Sequence, residues 1–283
     1  MTSAMGTGPA GLLGLEERTL AGLRYFSGGS GPPVVLVHGL AGAATNWVEV
    51  VPELVGRYRL LVVELPGHGR SQPPPRGASV SDFAASVAEV VEHEDAAPAF
   101  VAGHSFGGHV ALRLAQLRPE LVRGLLLVAP AGIATTTRAL QLAVVLAGYV
   151  RPGRWVAPLR YRYSGRLWYR RVLFRPWFVS DAAAMSERAA VGFLEGQRLH
   201  LDTRTAGRAM VADDPREDLE HVACPVVVLW GARDAQLPLD DAFEYARRLR
   251  ARLRLVADCG HLVIGERPSA CVAALDDLVA LSN

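Results

Sequence analysis

Ser105 is the residue whose surroundings in this sequence most clearly indicate chemistry. It lies in residues 103–107, which read GHSFG and so have the form G-x-S-x-G. A short apolar run at 99–102 precedes it, and a helical pattern begins near Gly107. This context is typical of a sharp strand-to-helix turn that exposes a nucleophilic serine, with glycines that allow a strained backbone and close neighbouring chains. Ser105 is therefore the candidate nucleophile.

A serine hydroxyl becomes an effective nucleophile only beside a base, which in turn needs an acid to orient it. His261 is the expected base because it follows the last predicted strand, in a loop at the same sheet edge as Ser105. Asp234 is the expected acid because it directly follows the preceding predicted strand. The chain order of serine, aspartate and histidine fits this type of turn. Asp258 is an alternative acid, but it is too close to His261 in sequence to reach around the ring easily.

Two backbone N–H groups are expected to bind the oxyanion that forms when a serine attacks a carbonyl group. One belongs to Phe106, the residue after the nucleophile, and the other to Leu40, in the loop after the predicted strand Pro33–Val37. His38 is expected to stabilise that loop, and His104 to pack on the other side of the serine turn. Four further histidines are expected to be surface or helix residues: His93, His109, His200 and His221.

The elements that would position these residues alternate along the chain. Strands are predicted at 33–37, 58–64, 99–102, 122–128, 226–230 and 252–256. Helices are predicted at 47–55, 79–92, 107–118, 239–250 and 267–281. Such alternation is typical of a mostly parallel sheet covered by helices. The segment 18–26 is expected to add an antiparallel hairpin at one edge.

One segment interrupts this alternation. Between residues 131 and 215 the sequence contains no convincing buried strand and has a helical or irregular pattern. An insertion of this length in an alternating chain is typical of a lid. We therefore predict a core formed by residues 1–130 and 216–283 and a helical cap formed by residues 131–215, which we call the cap.

The charge of the chain is distributed unevenly. All 30 basic residues are arginines, and the formal net charge is only +2, which argues against a nucleic-acid partner. The cap holds 13 arginines and 6 acidic residues, whereas the remainder holds 17 and 22. Within 151–178, eight arginines alternate with aromatic residues. The simplest interpretation is an amphipathic lid with a solvated arginine face; peripheral lipid contact and recognition of an anionic substrate group are the alternatives.

The number of cysteines and the length of the apolar segments indicate the cellular compartment of the protein. The three cysteines are odd in number and lack the spacing of metal ligands, which favours a reducing compartment and no metal site. The first 19 residues lack the features of a secretory signal. The longest apolar run, 139–150, is too short to cross the ~30 Å of bilayer hydrocarbon. We therefore expect a cytoplasmic protein.

Taken together, the motifs resemble the α/β-hydrolase fold superfamily, in its capped, esterase- and lipase-like branch. The matching sequences are VVLVHG (34–39), ELPGHGRS (64–71), GHSFGG (103–108), PVVVLWGARD (225–234) and CGH (259–261). Glu64 stands where that family usually has aspartate. The resemblance covers residues 20–281 or so and implies an α/β fold, with a mostly parallel eight-stranded sheet, flanking helices and an inserted helical cap.

The resemblance also implies an activity. It predicts a serine hydrolase that cleaves a small carboxylic ester with an apolar moiety through an acyl-enzyme intermediate, without a cofactor or a metal. Related chemistries are left open: C–C bond hydrolysis of the meta-cleavage type, thioester or lactone hydrolysis, perhydrolysis, acyl transfer, or non-catalytic ligand binding. Epoxide hydrolases and haloalkane dehalogenases of this fold attack with aspartate, so Ser105 argues against both.

Overall fold

The computed structural model describes residues 8–133, 153–175 and 177–282, and the apolar run 139–150 lies outside them. Its eight strands form one sheet in the order β1-β2-β4-β3-β5-β6-β7-β8. The strands are β1 (Glu16–Leu20), β2 (Leu23–Gly28), β3 (Pro33–Val37), β4 (Arg59–Val63), β5 (Ala99–His104), β6 (Val122–Val128), β7 (Val226–Gly231) and β8 (Arg252–Val256). β2 is antiparallel to β1 and β4, and every other pair is parallel. The predicted fold class is confirmed.

Both faces of the sheet are covered, as the β-branched runs of its central strands predict. Along β3, Val35 packs in a core with Phe83 on one face, and Leu36 packs in a second core with Trp47 on the other. This alternation follows from the two-residue period of a strand. The helices that cover the described sheet and continue into the cap are α1 (Pro9–Leu13), α2 (Val51–Leu54), α3 (Val80–His93), α4 (Phe106–Leu117), α5 (Gly153–Val156), α6 (Arg160–Tyr163), α7 (Leu167–Phe174), α8 (Glu187–Glu195), α9 (Arg204–Ala212), α10 (Leu239–Arg248), α11 (Val263–Glu266) and α12 (Pro268–Leu281).

One predicted helix is wrong. The segment 47–55 was expected to be a single helix, but a 3-10 turn at Ala44–Trp47 is followed by the separate short helix α2. Pro52 explains the break, because proline lacks an N–H and is tolerated only in the first turn of a helix. The other predicted helices agree with the structure to within a few residues.

The strand order brings the ends of distant segments together. Because the carboxyl ends of parallel strands lie at one edge of a sheet, the residues that follow β3, β5, β7 and β8 share that edge. β3 lies directly beside β5, so the loop that contains Leu40 is next to the turn that contains Ser105. Asp234 follows β7, and His261 follows its neighbour β8. The topology therefore gathers the candidate site residues.

Between β6 and β7 the described residues form helices and connecting turns only, namely α5 to α9 and three 3-10 turns. Helix α8 lies on the 3-10 turn that follows β3: the Thr45 hydroxyl donates to the Gly192 carbonyl at 2.7 Å. A Cβ atom at Gly192 would lie 2.3 Å from the Thr45 carbonyl oxygen, so glycine permits this close approach. No helix within the described ranges is long and apolar enough to cross a membrane.

Candidate active site

Ser105 occupies a strained turn between β5 and α4, with φ 54° and ψ −120°. Such a conformation costs a non-glycine residue on the order of 1–3 kcal/mol, so surrounding bonds must hold it. The Ser105 N–H donates to the Val128 carbonyl at 2.9 Å, and its carbonyl accepts from the N–H groups of Gly108 and Ala131 at 2.9 and 3.0 Å. These bonds fix the turn to its own helix and to the end of β6.

The glycines on either side of Ser105 are required by close contacts. A Cβ atom at Gly103 would lie 2.2 Å from the Gly107 carbonyl oxygen. A Cβ atom at Gly107 would lie 2.4 Å from the carbonyl oxygens of His38 and Val37. A side chain at Gly103 would therefore push the turn open. A side chain at Gly107 would push the turn away from the end of β3.

The Ser105 hydroxyl does not cap helix α4. Ser105 is partly exposed, whereas its neighbours at 101–104 and 106–110 are buried. It is the N-cap residue of α4, yet its hydroxyl makes no capping hydrogen bond to the described first turn of that helix. An N-cap serine normally has extended backbone and accepts an N–H from that turn. The positive φ of Ser105 changes this geometry and leaves the hydroxyl outside the helix.

His261 and Asp234 form the pair that the sequence predicts. The His261 Nδ1–H donates to Asp234 Oδ2 at 2.8 Å, and both side chains are buried. The second carboxylate oxygen, Oδ1, accepts the N–H groups of Gln236 and Leu237 at 2.7 and 3.0 Å. Burial alone would raise the pKa of Asp234, but the charge and hydrogen bond of His261, together with the two N–H groups, hold that pKa below its ordinary value. The carboxylate stays ionised and holds the His261 ring through Nδ1. Nε2 is the ring nitrogen that the carboxylate leaves available.

Asp258 does not contact the His261 ring in this way. It lies at the surface, where it pairs with Arg233 at 2.8 Å, and both side chains are about 65% exposed. The structure therefore brings His261 together with Asp234 and leaves the alternative acid in solvent.

His104 lies closer to the site than the sequence suggests. It was expected to pack on the other side of the serine turn, but its ring centroid is 5.0 Å from that of His261. Its Nε2–H donates to the His261 backbone carbonyl at 3.0 Å. Burial first, and the neighbouring His261 second, lower the pKa of His104 to about 3, so its ring is neutral near pH 7. His104, which directly precedes the candidate nucleophile, is thus bonded to the backbone of the candidate base.

The loop after β3 passes beside Ser105. A Cβ atom at Gly39 would lie 3.1 Å from the Ser105 Cβ, which places the Leu40 peptide next to the serine. The Phe106 N–H begins α4, and the first N–H groups of a helix lack intrahelical partners. Helix N-termini also favour negative charge. The arrangement can therefore stabilise an oxyanion that develops beside Ser105.

Glu266 is a supporting residue that none of the sequence motifs includes. Its carboxylate lies on α11 and is buried, and it accepts the Gly260 N–H at 2.8 Å and the Asp181 N–H at 2.6 Å. It therefore connects the loop that carries His261 to the cap segment after α7. A second bond in this region runs from the Leu262 N–H to the Phe178 carbonyl at 3.0 Å. The only signal in the sequence is an acid within the otherwise apolar segment 262–266.

Two of the four histidines expected at the surface or in helices need comment. His200 is buried beside the loop after β3 and lies in a turn between cap helices, so that expectation was wrong. His109 does lie on a helix, α4, but it is fully buried and its Nε2 is 3.0 Å from Asp213 Oδ1. His93 and His221 are exposed.

The sequence predicts a cap with one covered apolar face and one solvated arginine face. The structure instead has exposed apolar side chains and a buried arginine in the described part of the cap. On α7, Tyr169 and Phe174 are buried, but Trp168 and Val172 are exposed beside Arg171. Conversely, the guanidinium of Arg160 is buried against the Glu195 carboxylate, since a buried charge needs a partner. The other aromatic rings that are strongly exposed in the described cap are those of Trp155, Tyr161, Trp177 and Phe178.

The comparison with known families agrees with this fold. Residues 34–274 match the model described as the alpha/beta hydrolase family. Because the match covers most of the chain, the protein belongs to the alpha/beta hydrolase family. The resemblance stated from the sequence motifs is thereby confirmed.

Named relatives carry different activities. The pimeloyl-(acyl-carrier protein) methyl ester esterase of Nitrosomonas europaea is 31% identical over 272 residues, which cover 92% of this chain and 100% of that one. The dihydrolipoyllysine-residue acetyltransferase component of the acetoin cleaving system of Pseudomonas putida is 30% identical over 252 residues, or 85% of this chain, and the match spans only 62% of that protein. Among solved structures, E-2-(acetamidomethylene)succinate hydrolase has a TM-score of 0.77 at 18% identity, covers 94% of this chain and 99% of its own, and shows the same fold.

Proposed function

We propose that this protein is a serine hydrolase that cleaves carboxylic esters through an acyl-enzyme intermediate. The observation that carries the proposal is the buried hydrogen bond between His261 and Asp234, at the sheet edge where Ser105 is held at positive φ. Membership of the family and the esterase relative support a hydrolase in general. The choice of carboxylic ester is our inference from the site.

In the proposed mechanism, the Ser105 hydroxyl oxygen attacks the carbonyl carbon of the ester, and His261 takes the hydroxyl proton at Nε2. The ionised Asp234 carboxylate stabilises the imidazolium that forms. The carbonyl oxygen becomes an oxyanion, which accepts the N–H groups of Leu40 and Phe106. The tetrahedral intermediate then collapses, the alcohol leaves with the proton from His261, and Ser105 is acylated.

Deacylation repeats these steps with water. His261 takes a proton from a water molecule, which attacks the acyl carbon, and the same N–H groups hold the second oxyanion. Collapse releases the carboxylic acid and returns the proton to Ser105. Every proton transfer uses His261, so the mechanism needs no metal or cofactor.

The relatives help to choose among the open chemistries. The methyl ester esterase is matched over its whole length, which supports ester hydrolysis. The acetyltransferase component is matched over 62% of its length, so acyl transfer is supported less directly. Non-catalytic ligand binding is the alternative that a first experiment must exclude.

That experiment is reaction with a fluorophosphonate probe, which phosphonylates an activated serine far faster than an ordinary one. We expect the wild-type protein to be labelled on Ser105, as shown by mass spectrometry of the labelled peptide, and the Ser105→Ala variant to remain unlabelled. Absence of label on the folded wild-type protein would instead favour a binding protein and overturn the proposal.

We also propose that the cap rests on an anionic lipid surface. The residues Trp155, Trp168 and Trp177 are 76%, 57% and 64% exposed. Exposed arginines accompany them, none in an ion pair with any described residue: Arg162, Arg166, Arg171 and Arg175. No acidic residue occurs between 131 and 180. Tryptophan favours the membrane interface and arginine favours lipid phosphate, so this surface suits both.

The division into a core and a cap remains part of this proposal, as does the cytoplasmic location predicted from the cysteines. The proposed cap covers residues 131–215, and its described helices begin at Gly153. Its bonds to the His261 loop, through Glu266 and Phe178, support the idea that it closes over the site.

A further inference from the structure

Three buried histidine rings form a cluster beside the loop after β3. They come from three separate segments: His38 follows β3, His68 follows β4, and His200 lies in the cap. The ring centroids of His38 and His68 are 5.0 Å apart, and those of His68 and His200 are 5.5 Å apart. The cluster connects residues 39–42, which we call the oxyanion loop, to residues 65–69, which we call the anchor loop and which include His68.

Each ring holds a different peptide group of the oxyanion loop. The His38 Nδ1–H donates to the Gly39 carbonyl at 2.8 Å. The Ala41 N–H donates to His68 Nε2 at 3.1 Å, and the Ala41 carbonyl accepts from His200 Nε2–H at 2.8 Å. The peptide groups that join residues 39 to 40, 40 to 41 and 41 to 42 are therefore fixed in succession by three imidazoles.

These bonds determine where the Leu40 N–H points. In a planar trans peptide the carbonyl and the N–H point in opposite directions. The Gly39 carbonyl is held by His38 and by the Gly42 N–H, at 2.8 and 3.0 Å, so the Leu40 N–H of the same peptide is directed away from His38. The next residue, Ala41, has φ 54°, an unfavourable conformation for alanine that needs external support. His68 and His200 supply that support at its N–H and its carbonyl, where the Gln197 amide also donates at 2.8 Å.

The second nitrogen of every ring is bound to the anchor loop. The Leu65 N–H donates to His38 Nε2 at 3.1 Å, and the Gly69 N–H donates to His200 Nδ1 at 3.0 Å. The His68 Nδ1–H donates to the Pro66 carbonyl at 3.1 Å. All three rings thus bridge the two loops.

The partners fix the protonation of each ring. A nitrogen that accepts a backbone N–H needs its lone pair, and a nitrogen that meets a carbonyl needs a proton. His38 and His68 are therefore neutral with the proton on Nδ1, and His200 is neutral with the proton on Nε2. The lone pair that a metal would use is already engaged in each ring, so the cluster is not arranged as a zinc site.

We propose that His68 and His200 are positioning residues for the oxyanion hole. They hold the two backbone groups of Ala41 and through them the orientation of the Leu40 N–H. Because His200 belongs to the cap, the oxyanion hole is complete only when this part of the cap is seated on the core. The inference rests on the proposed function and adds to it a link between cap seating and catalysis.

Matched amide substitutions test the two positions. Glutamine places a polar atom near the position of Nε2, whereas asparagine places one near Nδ1. We expect His68→Gln and His200→Gln to keep the bond to Ala41 and most of the activity. We expect His68→Asn and His200→Asn to lower kcat about 10- to 100-fold with KM changed less than about twofold, since small misplacements of a catalytic group cost factors of this size. His93→Asn, at an exposed helix end, is the control.

The outcomes separate this inference from the proposed function. A folded wild-type protein that neither reacts with the fluorophosphonate nor hydrolyses esters overturns both. An active wild type whose folded Asn variants match the control in kcat overturns only the positioning role. A change in KM without a change in kcat also overturns it. So does an equal drop in kcat in the Gln and Asn variants.

A spectroscopic measurement decides the matter if an Asn variant fails to fold. Long-range proton–nitrogen correlation spectra of the nitrogen-15-labelled wild type report the tautomer of each histidine. Protons on Nδ1 of His38 and His68 and on Nε2 of His200 at pH 7 support the inference. Any other tautomer, or a charged ring, overturns it.

Discussion

The His104 ring donates a hydrogen bond to the backbone carbonyl of His261 at 3.0 Å, although the two residues are 157 positions apart in the chain. One residue precedes the candidate nucleophile, and the other is the candidate base. The bond therefore connects the turn after β5 with the loop after β8. The proposed catalytic geometry depends on such connections.

Ser105→Ala is expected to lower the rate of p-nitrophenyl ester hydrolysis by at least about 10⁴-fold, since loss of the nucleophile removes the covalent route. The thermal unfolding midpoint is expected to stay near that of the wild type, because the substitution removes one hydroxyl from a partly exposed side chain. Ser269→Ala, at an exposed position of α12, is the control. Equal activity of the two variants would sink the assignment of Ser105.

Asp234→Asn is expected to lower kcat about 10⁴-fold at pH 7. The amide would donate to His261 Nδ1 instead of accepting from it, which would place the ring proton on Nε2 and remove the base. Asp258→Asn changes a similar carboxylate at the surface, where it pairs only with Arg233 in the described structure, and is expected to leave kcat unchanged. The reverse order of effects would make Asp258 the acid. Initial rates at saturating ester measure the difference.

Acid is expected to destabilise the fold through buried neutral histidines. The pKa of His104 is lowered to about 3 in the folded state, whereas an unfolded histidine titrates near 6.5. As the pH falls from 6.5 to 3, the unfolded chain gains a proton that the folded chain does not accept. The free energy of unfolding therefore drops by up to ~1.4 kcal/mol per pH unit for this residue.

Urea denaturation at pH 7, 5.5 and 4.5 tests this pH dependence. His104→Gln keeps a donor for the His261 carbonyl but has no group that titrates in this range. The variant is expected to lose less stability than the wild type between pH 7 and 4.5. Parallel loss in both proteins would assign the acid sensitivity to other groups.

Glu266→Gln is expected to lower both stability and kcat. The carboxylate accepts backbone N–H groups at both oxygens, whereas an amide has one oxygen and would present its own N–H to a backbone donor. A buried donor left without an acceptor costs about 1–3 kcal/mol. Glu244→Gln, which breaks a surface pair with Arg247, is expected to cost under about 1 kcal/mol. Similar costs for both variants would argue against the supporting role of Glu266.

Binding to lipid vesicles tests the cap surface. We expect sedimentation of the protein with vesicles that contain phosphatidylglycerol, little with phosphatidylcholine alone, and release by salt. Each arginine near a charged surface contributes about 1 kcal/mol, so Arg171→Ser is expected to weaken binding about fivefold. Arg247→Ser, on α10, is the control for a lost positive charge. Equal binding to both vesicle types, or none, would contradict an anionic lipid partner.

Much of the fold follows from local patterns in the sequence. The β-branched run Pro33–Val37 is a strand with the predicted bounds, because a buried strand needs continuous apolar residues whatever its neighbours are. The G-x-S-x-G turn is equally local, since Gly103 and Gly107 contact each other within five residues. The chain order of the candidate triad is enough to point to Asp234 and His261, because parallel strands end at one edge.

Other features were decided only by the tertiary structure. His104, His200 and Glu266 bind backbone groups of distant loops, and a backbone N–H or carbonyl looks the same at every residue, so no residue pattern reveals such partners. The exposure of Trp168 beside the buried Tyr169 likewise depends on which side of α7 meets the core. The sequence by itself therefore determined the strands, the serine turn and the candidate triad, since these depend on side-chain type and short spacing. Only the tertiary structure decided how the loops around Ser105 are held, since that depends on hydrogen bonds between segments that the sequence keeps far apart.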